Sequence, residues 1–305
     1  MIGIMGTTCI EVRHEQGAKI ITITQRGTLK SNVIPSVVMV CEDAIAEKVL
    51  DLVRAETNGS YKIVTAGAWG NMATLLYGMY FYRTHLQQTG DTRFLEVLCV
   101  TDGDITPDWF QKVIEETHRG SHAPGHIKET LSLIKQSLIS FELSEHPENA
   151  KGIPEYNHKT WLEEISQDQV NKHFESRLAE LNSFLERCAR DQEGGIEIEI
   201  FHIKKEISET LRIIEISQKM KFKAVEGFVD YHAYYKRLSA VLKRGDTLMH
   251  YPQHDVVYAV LCIIRKFNPA RWNAYIAPVK KAMREASCNQ TDVFRKDRFN
   301  NTEIE

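Results

Sequence analysis

Two aspartates with one glycine between them, Asp102 and Asp104, close the apolar run Leu95–Val100 in "FLEVLCVTDGDITPDW", residues 94–109. Neighbouring carboxylates repel one another unless a cation or a shared proton lies between them. A third acid occupies a matching place, because Glu42 follows directly on the apolar run Val37–Cys41. Hard oxygen ligands of this kind suit Mg²⁺ or Mn²⁺, ions that keep several waters and accept phosphate oxygens directly. Such ions stabilise the attacking and leaving oxygens of a phosphodiester displacement. Glu42, Asp102 and Asp104 are therefore the candidate catalytic acids, and all three are candidate metal ligands.

For these acids to meet, the strands they terminate must be neighbours. In an open α/β sheet the reactive crevice lies beyond the carboxyl ends of the strands. The spacing predicts a strand over Val37–Cys41, then a helix carrying Ile45, Val49, Leu50 and Val53, then a strand over Tyr61–Val64. A helix from Met72 to about Gln88, a strand over Phe94–Val100 and a fourth strand within "SLISFELSE" (137–145) follow. Strands alternating with helices imply a mostly parallel sheet flanked by helices. Ahead of it, "CIEVRHEQGAKIITITQRG" alternates around Gln16-Gly17 as a β-hairpin, and Pro35 punctuates its end.

Beyond residue 150 the pattern becomes mainly helical. Val170, Phe174, Leu178, Leu181, Leu185 and Cys188 form one helical stripe, with Gly194-Gly195 as its stop signal. "IEIEI" (196–200) alternates like an edge strand, although a helix running on to Met220 also fits. Val256–Phe267 and Ala274–Ala286 read as helices, and the polar tail from Ser287 reads as frayed. The expected organisation is an α/β fold with a hairpin over 1–36, a catalytic sheet domain over 37–150 and a mainly helical domain over 151–305.

At 305 residues and 43% hydrophobic content the chain can bury a sizeable core. No run approaches eighteen apolar residues, and the N-terminus lacks the pattern of a signal peptide. The six cysteines form no CxxC pair and read as reduced core residues. The expectation is a soluble cytoplasmic protein with no membrane association. Residues 203–305 hold 19 Lys+Arg against 12 Asp+Glu, a charge of +7, so residues 1–202 carry −10. Such a division fits a metal-binding part beside an anion-gripping part, and equally an ordinary solvated helical surface.

"VVMVCEDAIAEKVL" and "VLCVTDGDITPD" resemble the glutamate and Asp-x-Asp motifs of the Toprim domain, shared by topoisomerases, primases, small ribosomal RNA maturases and nucleases of the overcoming-lysogenisation-defect (OLD) type. The likeness covers roughly residues 37–145. It implies an endonuclease using Mg²⁺ or Mn²⁺ on DNA or RNA. Two departures bear on a second metal: the usual Glu-Gly is Glu42-Asp43, and the acid often found four positions later is Ala46, with Glu47 one beyond. Glu47 is the first candidate for that ligand and Asp43 the second. The leading hairpin and helical remainder look most like the nuclease half of OLD-type proteins, where an ABC-type ATPase usually precedes it. No GxxxxGK[ST] occurs here. The resemblance thus implies a nuclease subunit governed by a separately encoded ABC-type ATPase in an antiphage defence system; a homo-oligomer is a further partner to test for.

Three other readings use overlapping residues. "DGDIT" also fits the haloacid-dehalogenase phosphatases, with Asp102 as nucleophile, Asp104 as general acid and Ser140 ending the next strand, though this leaves Glu42 unexplained. A non-catalytic adaptor subunit is the second. A zinc face from His118, His122 and His126 is the third, and Gly120, Pro124 and Gly125 argue against the helix it needs. His250 and His254, around Pro252, either approach substrate or cap a helix. Glu155, Lys151 and Lys159 fall in a segment read as a loop able to approach the acids, where a lysine would stabilise phosphorane charge. Arg265, Lys266, Arg271, Lys280, Lys281 and Arg284 interleave with Trp272 and Tyr275, a mixture used by nucleic-acid surfaces and by helices packing on a partner.

Overall fold

The computed structural model describes residues 8–15, 18–25, 37–57, 61–88, 96–103, 112, 134, 136–143, 152–187, 193–225, 228–244 and 252–300. Strands β1 (Thr8–Glu15) and β2 (Ala18–Gln25) form the antiparallel hairpin, pairing Glu15 with Ala18 across Gln16-Gly17. The hairpin is a separate two-stranded sheet.

The main sheet contains β3 (Val37–Cys41), β4 (Tyr61–Thr65), β5 (Glu96–Thr101) and β6 (Leu138–Ser140) in the order β4-β3-β5-β6. Every pairing is parallel. Such strands are covered on both faces, which is why they read as continuous apolar runs. On β3 and β5, Met39, Cys41, Leu98 and Val100 enter one core, while Val40, Val97 and Cys99 enter another with Met72 and Leu76. Helix α1 (Ala44–Glu56) lies on the first face and α2 (Trp69–Gln88) on the second. The crossover from β3 goes to β4 on one side, and the next returns past β3 to β5 on the other. That reversal makes the gap between β3 and β5 the topological switch point, where open α/β sheets bind ligands.

The remainder comprises α3 (Pro154–Glu163), α4 (Gln167–Leu185), α5 (Glu193–Lys219), a short hairpin of β7 (Lys223–Val225) and β8 (Phe228–Asp230), α6 (Tyr234–Arg244), α7 (Gln253–Phe267) and α8 (Pro269–Asn300). Helix α8 packs against β3, β5 and β6, and α7 against α1, so one apolar core runs from the sheet into the helices. The Tyr61 hydroxyl donates to the Met283 carbonyl, the Glu142 amide donates to the Tyr275 carbonyl, and Phe141 stacks on Tyr275 at 4.7 Å.

Several expected elements change. "IEIEI" is helical: Ile200, Ile203, Ile207, Leu211 and Ile214 continue a 3–4 spacing that outweighs the short alternation. Gly194-Gly195 do not stop a helix; α4 ends at Leu185, and the glycines lie in the first turn of α5. The fourth strand shrinks to three residues, and the backbone beyond Ser287 stays helical to Asn300. The supposed loop around Glu155 is helix from Pro154, whose missing N–H costs nothing at a first helical position. Among the described residues, no helix is long and apolar enough to cross a membrane.

Candidate functional site at the sheet switch point

Glu42 follows the last residue of β3 and Asp102 the last residue of β5, and the two strands pair Cys41 with Val100. Both acids are half-buried at the carboxyl edge. The Glu42 main chain is held by the β4–α2 connection, since the Gly67 amide donates to its carbonyl at 2.9 Å. The sheet thus brings two of the expected acids to one place. Asp104 lies outside the described residues.

Gly103, between the two aspartates, has φ +112°, a conformation L side chains rarely adopt. A Cβ there would meet Leu143 Cδ1 at 3.1 Å. Only glycine takes up this backbone conformation without strain, so the residue between the two aspartates is a structural requirement. We expect Gly103→Ala to destabilise the fold by about 1–3 kcal/mol, measured by chemical denaturation. A variant as stable as the parent would remove this backbone requirement.

The two candidates for a second metal ligand occupy different positions. Asp43 is the N-cap of α1, its Oδ1 accepting from the Ile45 and Ala46 amides at 2.8 and 2.9 Å. This commits one carboxylate oxygen to the start of the helix. Burial pushes the Asp43 carboxyl up and Glu155 adds to it, while the capping amides and His232 pull it down. Glu47, in the first turn of α1, accepts from Thr65 Oγ1 at 3.3 Å. Thr65 ends β4, so Glu47 flanks Glu42 on the side away from β5. Among the described residues no three His, Cys, Asp or Glu side chains stand close enough together to hold a metal ion. The donor chemistry at Glu42 and Asp102 nevertheless suits Mg²⁺, which binds through one or two carboxylates and fills its shell with water and phosphate oxygens.

The helical part closes over this edge. Glu155, in the first turn of α3, is buried and lies 3.2 Å from His232 Nδ1, between β8 and α6. The carboxylate holds the imidazole protonated, up to about 9, against the opposing effect of burial, with Asp230 and Asp102 adding to the pull. Below these groups lie His158, Tyr235 and Tyr275, all inaccessible to solvent. His158 Nδ1 hydrogen-bonds the Tyr235 hydroxyl at 2.8 Å, whereas among the described residues its Nε2 and the Tyr275 hydroxyl have no hydrogen-bond partner. Burial and the charges of Asp102, Asp43 and Glu155 hold the Tyr275 phenol well above its ordinary range.

Burial alone pushes His158 down to about 3, so it stays neutral in the folded protein. Its unfolded counterpart titrates near 6.5, so between those values the unfolded chain binds the extra proton. Stability conferred by the neutral ring is complete above about pH 6.5 and falls with pH by about 1.4 kcal/mol per unit. His232 has the opposite sign: its contribution is full below 6.5 and lost as pH rises through about 9. We expect a loss on the order of 2 kcal/mol between pH 6.5 and 5 that His158→Asn, compared by denaturation at both pH values, does not show. Equal losses in both proteins would contradict a neutral buried His158.

Sequence reasoning missed His232, and it misread two rings. Trp272 is 2% exposed and Tyr275 1%, so neither is a stacking platform for bases. Arg265 and Lys280 pair with Glu56, Lys266 with Glu206 and Arg271 with Glu164, leaving the expected basic stripe largely neutralised. Lys159 is buried against Glu163 and Phe222, not reaching toward the acids. Ser140 Oγ is hydrogen-bonded to Thr101 Oγ1 at 2.7 Å. His254, next to the Pro252 cap of α7, pairs with Asp255. Lys151, His118, His122, His126 and His250 lie outside the described residues. Cys41 and Cys99 are buried thiols pushed up to about 12, as expected of inert reduced cysteines. Compared with known proteins, the chain matches no family model, no curated protein and no solved structure.

Proposed function

We propose that this chain is a Mg²⁺- or Mn²⁺-dependent endonuclease of Toprim type, hydrolysing phosphodiester bonds of DNA or RNA. The observation that supports it is the placing of Glu42 and Asp102 on adjacent parallel strands at the switch point of the sheet. Glu42 and Asp102 would hold the ion, with Asp104 and Glu47 as further candidates. When bound, the ion would supply charge stabilisation to the attacking and leaving oxygens. The chain's own contribution is to fix those carboxylates on strand ends and bury their surroundings, which strengthens electrostatic effects at the reacting phosphate. The phosphatase reading has less support: it needs a free Ser140 hydroxyl for phosphate, and that hydroxyl is engaged with Thr101.

By the same resemblance, the chain acts in the cytoplasm as the effector of an antiphage system, restrained by a separate ABC-type ATPase. The β1–β2 hairpin is the contact proposed for it, because among the described residues each of its strands pairs on one side only, and edge strands readily pair with another chain. Purified protein, alone and with the product of a neighbouring ATPase gene, should cut nucleic acid with Mg²⁺ or Mn²⁺ and stop in EDTA. Cutting that persists in EDTA would defeat the metal mechanism. Failure to cut either DNA or RNA under any of these conditions would favour the adaptor.

A further inference from the structure

The carboxylate edge must receive a substrate that is itself an anion, and a metal ion alone leaves that encounter short of positive charge. We propose that His232 is the phosphate-binding residue of this site, its Nδ1 tied to buried Glu155 and its Nε2 offered to a nonbridging oxygen of a nucleic-acid phosphate. This deepens the nuclease reading and rests on it.

The geometry separates the two nitrogens. Nδ1 sits 3.2 Å from Glu155 Oε1, and Glu155 is shielded from solvent, while the His232 side chain is 74% exposed. A carboxylate behind one ring nitrogen fixes the ring and directs the other nitrogen outward. The turn is also fixed, because Asp230 Oδ1 accepts the Ala233 amide at 3.1 Å. Glu155, its partner, stands one turn before His158 on α3, whose ring lies 5.3 Å from that of Tyr275, and Tyr275 stacks on Phe141 beside the end of β5; the charges of Asp43 and Asp102 act on the same imidazole.

A second observation concerns the floor beneath the acids. Among the described residues the buried Tyr275 hydroxyl has no hydrogen-bond partner, and the charges it senses are Asp102, Asp43 and Glu155. Buried hydroxyls are normally satisfied by protein or water, so this one has a donor left for a water or ligand that reaches it. Of the two lysines the sequence suggests for this task, Lys159 is turned into the Glu163 contact and Lys151 lies outside the described residues.

The test measures phosphate binding and cleavage separately on the full chain with Mg²⁺. Calorimetric titration with inorganic phosphate at pH 7 should show His232→Gln binding about tenfold or more weakly, the size of one lost charge-assisted hydrogen bond. His232→Lys should restore much of that binding, and Glu155→Gln should weaken it. In cleavage assays the Gln variant should raise KM more than it lowers kcat. If His232→Gln binds phosphate like the parent, or if the parent binds none, the proposal is overturned. Slower cleavage with unchanged phosphate binding overturns it too. If the parent binds phosphate through His232 but cuts no nucleic acid, the nuclease reading fails while the phosphate site stands.

Discussion

Asp102→Asn should lower metal-dependent cleavage by about a thousandfold or more, equivalent to roughly 4 kcal/mol of transition-state stabilisation. The change keeps the shape of the side chain and removes its charge. Glu42→Gln should act the same way, because the two acids follow the ends of adjacent strands and, on the proposed function, would hold one ion. Melting curves of each variant without metal separate lost chemistry from lost fold. Asp102 acts on Tyr275 together with Asp43 and Glu155 and also pulls on protonated His232, so neutralising it removes both a repulsion and an attraction. Loss of activity with unchanged or higher melting temperature is the mark of a charge kept for function. In cells carrying the complete system, Asp104→Asn should remove toxicity and phage protection together. Wild-type cleavage rates in both the Asp102 and Glu42 variants would overturn the assignment, and an unaltered phenotype for Asp104→Asn would favour an adaptor.

Trp272→Ala should cost about 3–5 kcal/mol, as for other large rings removed from a packed core. The indole is buried where α8 meets α1, and its Nε1 donates to Glu56 Oε1 at 3.3 Å. Glu56 also receives Lys280 at 2.7 Å and Arg265 at 2.8 Å, which together hold its carboxyl below the usual range despite burial. Removing the ring therefore opens a cavity and strips one donor from a half-buried acid. Trp272→Phe should recover most of the packing but not the hydrogen bond. Denaturation curves of the three proteins test this. A loss below about 1 kcal/mol in the Ala variant would mean the helices do not depend on this contact.

The burial of Trp272 bears on how much of the molecule is legible in its sequence. Val37–Cys41 was legible to the residue, because a strand buried on both faces announces itself as an unbroken apolar run. Glu42 and Asp102 followed from the ends of such runs. The C-terminal rings were misjudged because cations stand between them, yet Trp272, Tyr275, Ile276, Val279, Met283 and Ala286 share one buried helical stripe. Weighing that spacing above composition would have placed both rings inside. The Glu155–His232 pair had no such signal. Its members are 77 residues apart, and only the packing of the helices brings them together. A segment rich in Pro, Glu, Asn and Lys also disguised the start of α3, where Pro154 was the available clue.

Helix α8 follows every other described element in the chain, yet it lies against β3, β5 and β6 and carries the tyrosine beneath the acid edge. During synthesis the sheet can pair its strands well before that covering arrives. The part of that apolar face over β5 and β6, beyond the reach of α1, then stays open until α8 docks. Contacts of such long sequence separation form late and slow folding. A nascent chain would thus carry its carboxylates before it has the enclosure that makes them effective, and competence would come with the last part of the core to form.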